Sequence, residues 1–350
     1  MATNLVNATR VFVNKAWKSH ISYGMPLLTR LMERQQIFPG GLQYEMIGEV
    51  ADTESLVQEY GPNDPLVGGS KEILEKPKWN RAYITIPVEK TVDEDVINAP
   101  EGDGKLIDTA EVIAKNALRS MKQLMYKRIY GSANDAEIDT YHTYLQGLCS
   151  ALDTDKTYGG LTRATSVTNE WWQAADYAAH DTAATISKSN LWNWLDSVRE
   201  FTEGSDDILI IMGSTLYNRM KAQMEASNSY EVSGNAAKQG FRSMSLDGYE
   251  IAEDLRLERL TGADVEHRDG SDAGLDGTTA DVGSTYVFVL NLNTWSLRYT
   301  DRAGSPFDMS DFFDQDKLIG GLEKSLARIK WKGNLICEQP NANLMRTAIT

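Results

Sequence analysis

Seven of the nine prolines (Pro26, Pro39, Pro62, Pro65, Pro77, Pro87 and Pro100) fall in the first hundred residues, and none lies between 101 and 305. Proline fixes φ and removes a backbone donor, so it interrupts helices and central strands. The first hundred residues are therefore expected to run extended, and the next two hundred to build a globular body. Within the extended part, Tyr44 to Val50 reads as one strand and Trp79 to Val88 as another. In the second, Ala82, Ile84, Ile86 and Val88 alternate with Tyr83, Thr85 and Pro87, the period of a half-buried strand. Between the two lie Gly61-Pro62-Asn63-Asp64-Pro65 and Gly68-Gly69-Ser70, both built of turn formers. The whole stretch reads as the two long arms of a hairpin closed by a broad tip. A lone two-stranded hairpin is marginal in water and its edges invite pairing. Its support is expected either from a neighbouring subunit or from its own domain.

From Leu106 to Tyr130 the period becomes helical. Leu106, Ile107, Ala110, Ala114, Ala117, Met121, Leu124, Met125 and Ile129 recur at three and four residues, which predicts a helix of about 37 Å. Asp108 and Glu111 near its start, Lys127 and Arg128 near its end and Gly131 beyond it suit the dipole and a stop. Residues 186 to 226 read helix, strand, helix: a cap at Ser189 or Asn190, a buried strand over Asp207–Met212, and a second cap at Ser214 or Thr215. Asp247-Gly248 signals a tight hairpin. A strand is expected over Thr285 to Leu290, and Gly333-Asn334 is expected to turn a late hairpin between Leu326–Trp331 and Leu335–Cys337.

A chain of 350 residues, 41% hydrophobic, has room for two or three units with real cores. The longest apolar runs, Ile208–Met212 and Tyr286–Leu290, have five residues each, whereas a spanning helix needs about 20. No charged-then-apolar leader opens the sequence, so folding in the cytoplasm is expected. Cys149 and Cys337 are the only cysteines and are expected to be buried apolar side chains. The net charge is −15, which argues against a general nucleic-acid binder. Residues 1 to 32 are the exception: they hold Arg10, Lys15, Lys18 and Arg30 and no acid, +4 locally against −19 on the remainder.

Chemistry is sparse. His20, His142, His180 and His267 are scattered without a second ligand at helical or strand spacing. Neither a nucleophile elbow nor a phosphate loop occurs, and Gly102-Asp103-Gly104 lacks the strand and third glycine of a dinucleotide site. The acidic loop with Asp264, Glu266, Asp269, Asp272, Asp276 and Asp281 matches no calcium loop closely. Trp171-Trp172, Trp192 and Trp194 read as core or interface anchors. No cofactor, metal or catalytic residue is expected.

The order of parts resembles the tailed-bacteriophage major capsid proteins of the HK97 fold. The residues that carry the resemblance are Ile84-Thr-Ile-Pro-Val-Glu-Lys90 leading to the long helix, and Gly159-Gly-Leu-Thr-Arg163 with Trp171 after it. The closing run from Asp314-Gln-Asp316 through Ala327-Arg-Ile-Lys-Trp-Lys-Gly333 to Asn343-Leu-Met-Arg346 completes it. The resemblance covers nearly the whole chain and implies an α+β fold. Its implied parts are an N-terminal arm over 1–40, an extended two-stranded loop over 41–90, a peripheral domain with a long spine helix over 91–185, an axial α/β domain over 186–310, and a return to the peripheral domain over 311–350.

It further implies self-assembly into an icosahedral shell of hexamers and pentamers around double-stranded DNA. The implied partners are a separate scaffolding protein, a portal protein and a possible decoration protein, with no membrane. Assembly would occur in the cytoplasm of a bacterial host, and the product would be the virion capsid. Arg10, Lys15, Lys18 and Arg30 would then face the lumen and its DNA, and Pro62, Asn63, Asp64, Lys71, Lys76 and Lys78 would lie on the intersubunit loop. One branch of the family joins subunits by an isopeptide bond between a loop lysine and an asparagine. Lys71, Lys76 and Lys78 with Asn334, Asn341 and Asn343 supply residues of the right kind, but nothing in the polar flanks suggests a desolvated lysine. Two other readings stay open: an encapsulin-like nanocompartment shell, and an acidic intracellular hydrolase working through a carboxylate pair.

Overall fold

The computed structural model describes residues 25–38, 43–49, 57, 59, 74–91, 104–131, 145–153, 157–161, 171–179, 181–202, 207–226, 241–260, 282–300, 307–309, 313–314 and 324–350. Two larger sheets, two small ribbons and a long helix form the α+β body.

The six-stranded sheet is organised around one strand, β14 (Lys324–Cys337). Along one edge β14 pairs antiparallel with β6 (Ala82–Thr91), from Lys324↔Thr91 to Gly333↔Ala82. Its other edge takes β13 (Phe313–Asp314), β12 (Phe307–Met309) and β11 (Trp295–Tyr299) in turn, and β1 (Gln36–Ile37) adds in parallel to β11. The alternation read from the sequence holds on β6: Ala82, Ile84 and Val88 are buried, Ile86 is half-buried, and Tyr83, Thr85 and Pro87 face out.

The expected hairpin at Gly333-Asn334 is absent, because β14 runs straight through it. Gly333 sits between Ala82 on one side and Tyr299 on the other. A Cβ there would lie 2.2 Å from the Arg298 carbonyl oxygen and 2.7 Å from the Trp331 ring. The glycine permits close approach inside a strand, a role that looks like a turn in sequence.

The five-stranded sheet has the order β15 (Leu344–Arg346), β10 (Val287–Asn291), β7 (Ile208–Met212), β9 (Tyr249–Glu253), β8 (Ser243–Leu246). Only β7 and β9 are parallel. β7 is buried at every position, as a continuous apolar run requires when both faces are covered. Leu209, Ile211, Phe288 and Leu290 share a core with Met121, Met125 and Ile129 of the long helix and with Tyr130 just past its end. Ile208, Ile210, Met212, Val287 and Val289 share the other with Leu191, Leu195, Val198, Leu216, Met220 and Met224. The sheet is thus packed between the long helix and the helix pair.

That long helix spans Gly104–Ile129, with Lys127 and Arg128 in its last turn, and Gly131 N–H bonds back to the Arg128 carbonyl. The helix Lys188–Arg199 is capped by Ser187, whose Oγ accepts from Asn190 N at 3.1 Å, rather than by Ser189 or Asn190. The helix Ser214–Ala226 likewise starts a residue early, and Thr215 N–H donates to the Glu258 carboxylate from another loop. Asp247 and Gly248 both adopt positive φ, 54° and 88°, the tight turn that joins β8 to β9.

One further expectation changes, and the late chain serves both large sheets. Pro26 opens a helix, Pro26–Glu33, within the stretch expected to be extended, since proline's missing N–H costs nothing in a first turn. Met25, Leu27, Leu28 and Leu31 are core residues. The late chain also divides: β14 joins β6, while β15, Ile349 and Thr350 close on the five-stranded sheet and on Ala184 and Ile186.

Candidate assembly surface

The expected hairpin exists at its root. β2 (Gln43–Glu45) pairs antiparallel with β5 (Lys78–Asn80), and farther out β3 (Gly48–Glu49) pairs with β4 (Leu74–Glu75). Each leg, expected as one strand, is divided by a break at Met46-Ile47 and Lys76-Pro77, where Met46 N–H bonds to the Pro77 carbonyl at 3.1 Å.

Aromatic packing fixes this root to the body. Trp79, 1% exposed, lies 5.7 Å from Tyr44, 5.7 Å from Tyr158 and 6.0 Å from Trp172, ring centre to ring centre. Trp172 donates its Nε1–H to the Tyr158 carbonyl at 2.8 Å, and the Tyr158 hydroxyl accepts from Cys337 N at 2.8 Å. The chain turns at Gly159 and Gly160, with φ of +61° and +76°. A Cβ on Gly159 would meet Pro77 at 3.1 Å, and the Gly159 carbonyl accepts from Lys78 N at 2.8 Å. On the other side, the Arg298 guanidinium stands 3.9 Å over the Tyr44 ring and holds Glu338 at 2.7 Å. Burial, then the Glu338 charge, pushes the Tyr44 phenol up. Asn334 completes the anchor: its amide donates to the Asn80 carbonyl at 2.8 Å and accepts from Gln146 N at 3.0 Å.

Beyond the root the ribbon exposes apolar side chains. Ile47 is 65% exposed, Leu74 50% and Val57 75%. Lys76 is exposed and Lys78 pairs with Glu45 at 3.2 Å. Pro62, Asn63, Asp64 and Lys71 lie outside the described residues, as do Arg10, Lys15, Lys18, all four histidines and the acidic loop over 261–281.

Arg30 departs from the role expected of it. It is 7% exposed, bonded to Glu250 at 2.7 Å with Asp207 at 3.9 Å. Its position on the buried face of a helix takes it out of the exposed basic arm. Its neighbour Arg34 binds Asp207 and Asn293.

A cleft of about 500 Å³ opens beside the root, between Met46, Gly48, Trp171 and Phe201 on one side and Asn291, Asn293, Gln339 and Asn341 on the other. Its lining holds one carboxylate, Glu338, already committed to Arg298, whereas hydrolysis by a carboxylate pair needs two across a cleft. Among the described residues no three His, Cys, Asp or Glu side chains gather as a metal site, and no helix is long and apolar enough to cross a membrane. Cys149 and Cys337 are fully buried, and Trp172 and Trp194 are core residues.

No protein-family model and no curated protein matches the sequence. Solved structures do. The chain superposes on a protein of the cyanophage A-1(L) capsid asymmetric unit with a TM-score of 0.64 at 13% identity, covering 93% of both chains. The chain has a phage-capsid fold. A protein of the native GTA particle capsid matches with a TM-score of 0.50 at 10% identity, over 91% of this chain and 89% of that one. At such identities the capsid fold survives through burial pattern, order and register. The root of the ribbon is only partly legible in sequence: Trp172 reads as a core or interface anchor and Trp79 as the start of a strand, while Tyr158, Arg298 and Glu338 carry no local signal.

Proposed function

We propose that this chain is a major capsid protein that assembles into an icosahedral shell of hexamers and pentamers enclosing double-stranded DNA. The observation that carries the reading is the ribbon: a packed root, then exposed Ile47, Val57 and Leu74 on and around a pair of short strands too few to be stable alone. Burial against neighbouring copies removes that apolar surface from water, and a closed shell repeats the gain at every subunit. The capsid fold supports this reading, as does a net charge of −15, which lets enclosed DNA slide with little sticking. A separate scaffolding protein would direct curvature, a portal protein would occupy one vertex, and a decoration protein is a possible addition. The shell would form in the bacterial host's cytoplasm and become the virion capsid.

Co-expression with the scaffolding protein, followed by light scattering and negative-stain microscopy, tests the proposal. Closed particles tens of nanometres across are expected. A stable monomer at high concentration, with residues 41–90 protected from protease, would overturn it.

A further inference from the structure

We propose that the cleft beside the ribbon root is a binding site for a neutral saccharide. Such a site goes beyond the shell reading and does not depend on it.

The cleft has a volume of about 500 Å³, within the range of small-molecule sites. Its lining divides by chemistry: Met46, Trp171 and Phe201 are apolar, whereas Asn293, Gln339 and Asn341 are amides. Phe201 is 42% exposed and Trp171 is half-buried, so both rings keep surface to offer. Two of the amides are held in place. Gln339 donates from Nε2 to the Phe201 carbonyl at 3.1 Å, and Asn293 accepts from Arg34 at 2.7 Å.

Two polar atoms of the lining are unmatched. The Trp171 indole N–H and the Asn341 Oδ1 are sheltered from solvent, and neither has a hydrogen-bond partner among the described residues. A sheltered group without its bond costs stability, so one unmatched donor and one unmatched acceptor along the same cleft point to a ligand that supplies both. The terminal torsion of asparagine is soft, which lets the Asn341 amide turn toward the cleft.

Charge narrows the class. Among the described residues the lining holds no cation and one carboxylate, Glu338, which is bonded to Arg298 at 2.7 Å. An anion would find no counter-charge, and a cation would compete with Arg298. A purely apolar ligand would strand the amides. A neutral molecule with an apolar face and a polar edge fits both parts of the lining. Each sugar hydroxyl donates and accepts through one oxygen, which matches the indole N–H and the amide oxygen, while the C–H face of a pyranose lies against an aromatic ring. An extended peptide would need two separate groups at a fixed spacing to do the same.

The test is saturation-transfer NMR on the purified full chain, with glucose, mannose, galactose, N-acetylglucosamine, maltose and cellobiose as probes. At least one sugar should receive saturation, most strongly at the protons of one ring face. Wild type is compared with Asn341→Ala and Trp171→Phe, each of which removes one unmatched group. Either variant should weaken binding about fivefold, the effect of one hydrogen bond. Asn341→Ala should also keep or raise the melting temperature, because it deletes a sheltered oxygen that has no partner; a residue held for structure alone would lower it. This pairing of weaker binding with undiminished stability keeps the test decisive if Trp171→Phe, whose ring packs against Gly48 and Trp172, does not fold. Absence of transfer to every sugar would overturn the proposal, and so would unchanged affinity in both folded variants. Stronger transfer to adenosine or uridine than to any sugar would overturn it in favour of a base-binding slot. Loss of particle formation in Asn341→Ala, with no sugar bound by wild type, would assign the cleft to contacts between copies. Particle formation by wild type tests the shell reading separately, so the two can fail independently.

Discussion

Asp254 carries the clearest pH dependence in the chain. It is fully buried at the end of β9, and it accepts from the Tyr126 hydroxyl at 2.8 Å, the Tyr130 hydroxyl at 2.7 Å and Arg256 N at 3.0 Å. Tyr126 lies in the last turn of the long helix and Tyr130 directly after it, so one carboxylate ties the end of that helix to the five-stranded sheet. Burial raises its pKa from 3.8 to about 6, although the hydrogen bonds oppose the shift. A folded acid that holds its proton more tightly than the unfolded one contributes stability below about 3.8, and loses it as pH rises through about 6. The stability of wild type minus that of Asp254→Asn should therefore fall by about 2 kcal/mol between pH 4 and pH 7, read from urea unfolding at each pH. None of this was legible in sequence, because Asp254, Tyr126 and Tyr130 meet only after helix and sheet have packed. Gly333 was visible, but as a turn, since a glycine that admits a neighbour's carbonyl and one that bends the chain are the same letter.

At the scale of elements, the ribbon separates structure from assembly. Its root is held by Trp79, Pro77, Gly159 and Tyr158, while one core cluster draws on the long helix and both large sheets and the other on the helix pair and the five-stranded sheet. Deleting Asp52 to Lys76 removes β4 and the tip while sparing β2, β5 and every packed aromatic. The shortened chain should keep its helical circular dichroism and lose shell formation by microscopy. Loss of the helical signal would place the ribbon in the subunit's own core. Elements with a strong period were legible: the long helix, the alternation of β6, the buried run of β7 and the β8–β9 turn each repeat a physical pattern over neighbouring residues. Boundaries were less so. The helix caps shifted by one to three residues because Ser187 competes with Ser189, and because Glu258, distant in sequence, supplies the acceptor for Thr215. The continuity of β14 depends on β6, β12 and β11 lying along its edges, which no local window contains.

For the whole molecule, the four cations near the N-terminus now divide. Arg30→Gln should destabilise the subunit by about 2 kcal/mol, because it removes a buried charge-assisted bond to Glu250 at 2.7 Å, and thermal unfolding of the subunit would show it. Arg10→Gln/Lys15→Gln/Lys18→Gln should leave the melting temperature unchanged and lower the yield of DNA-filled particles. Covalent joining of subunits can be judged from the same structure. An isopeptide bond needs a neutral lysine in attack geometry on an accessible amide carbon. Asn343 is fully buried: its Oδ1 accepts from Asn291 N at 2.8 Å and Trp295 Nε1 at 2.7 Å, and its Nδ2 donates to Thr294 Oγ1 at 2.9 Å and to the Gln339 carbonyl at 2.8 Å. Asn334 is 2% exposed and bonded to Asn80, Gln146 and Leu335. Both amides hold the fold together, and their carbonyl carbons are closed to a neighbour's lysine. On the other side of the reaction, Lys76 is exposed and Lys78 is paired with Glu45 at 3.2 Å, so neither is held in attack geometry on an amide. Boiled particles should therefore run in denaturing gels as single chains near 39.0 kDa. Ladders that survive reductant would show that a lysine of the ribbon finds another acceptor, and mass spectrometry of the linked peptides would identify both residues.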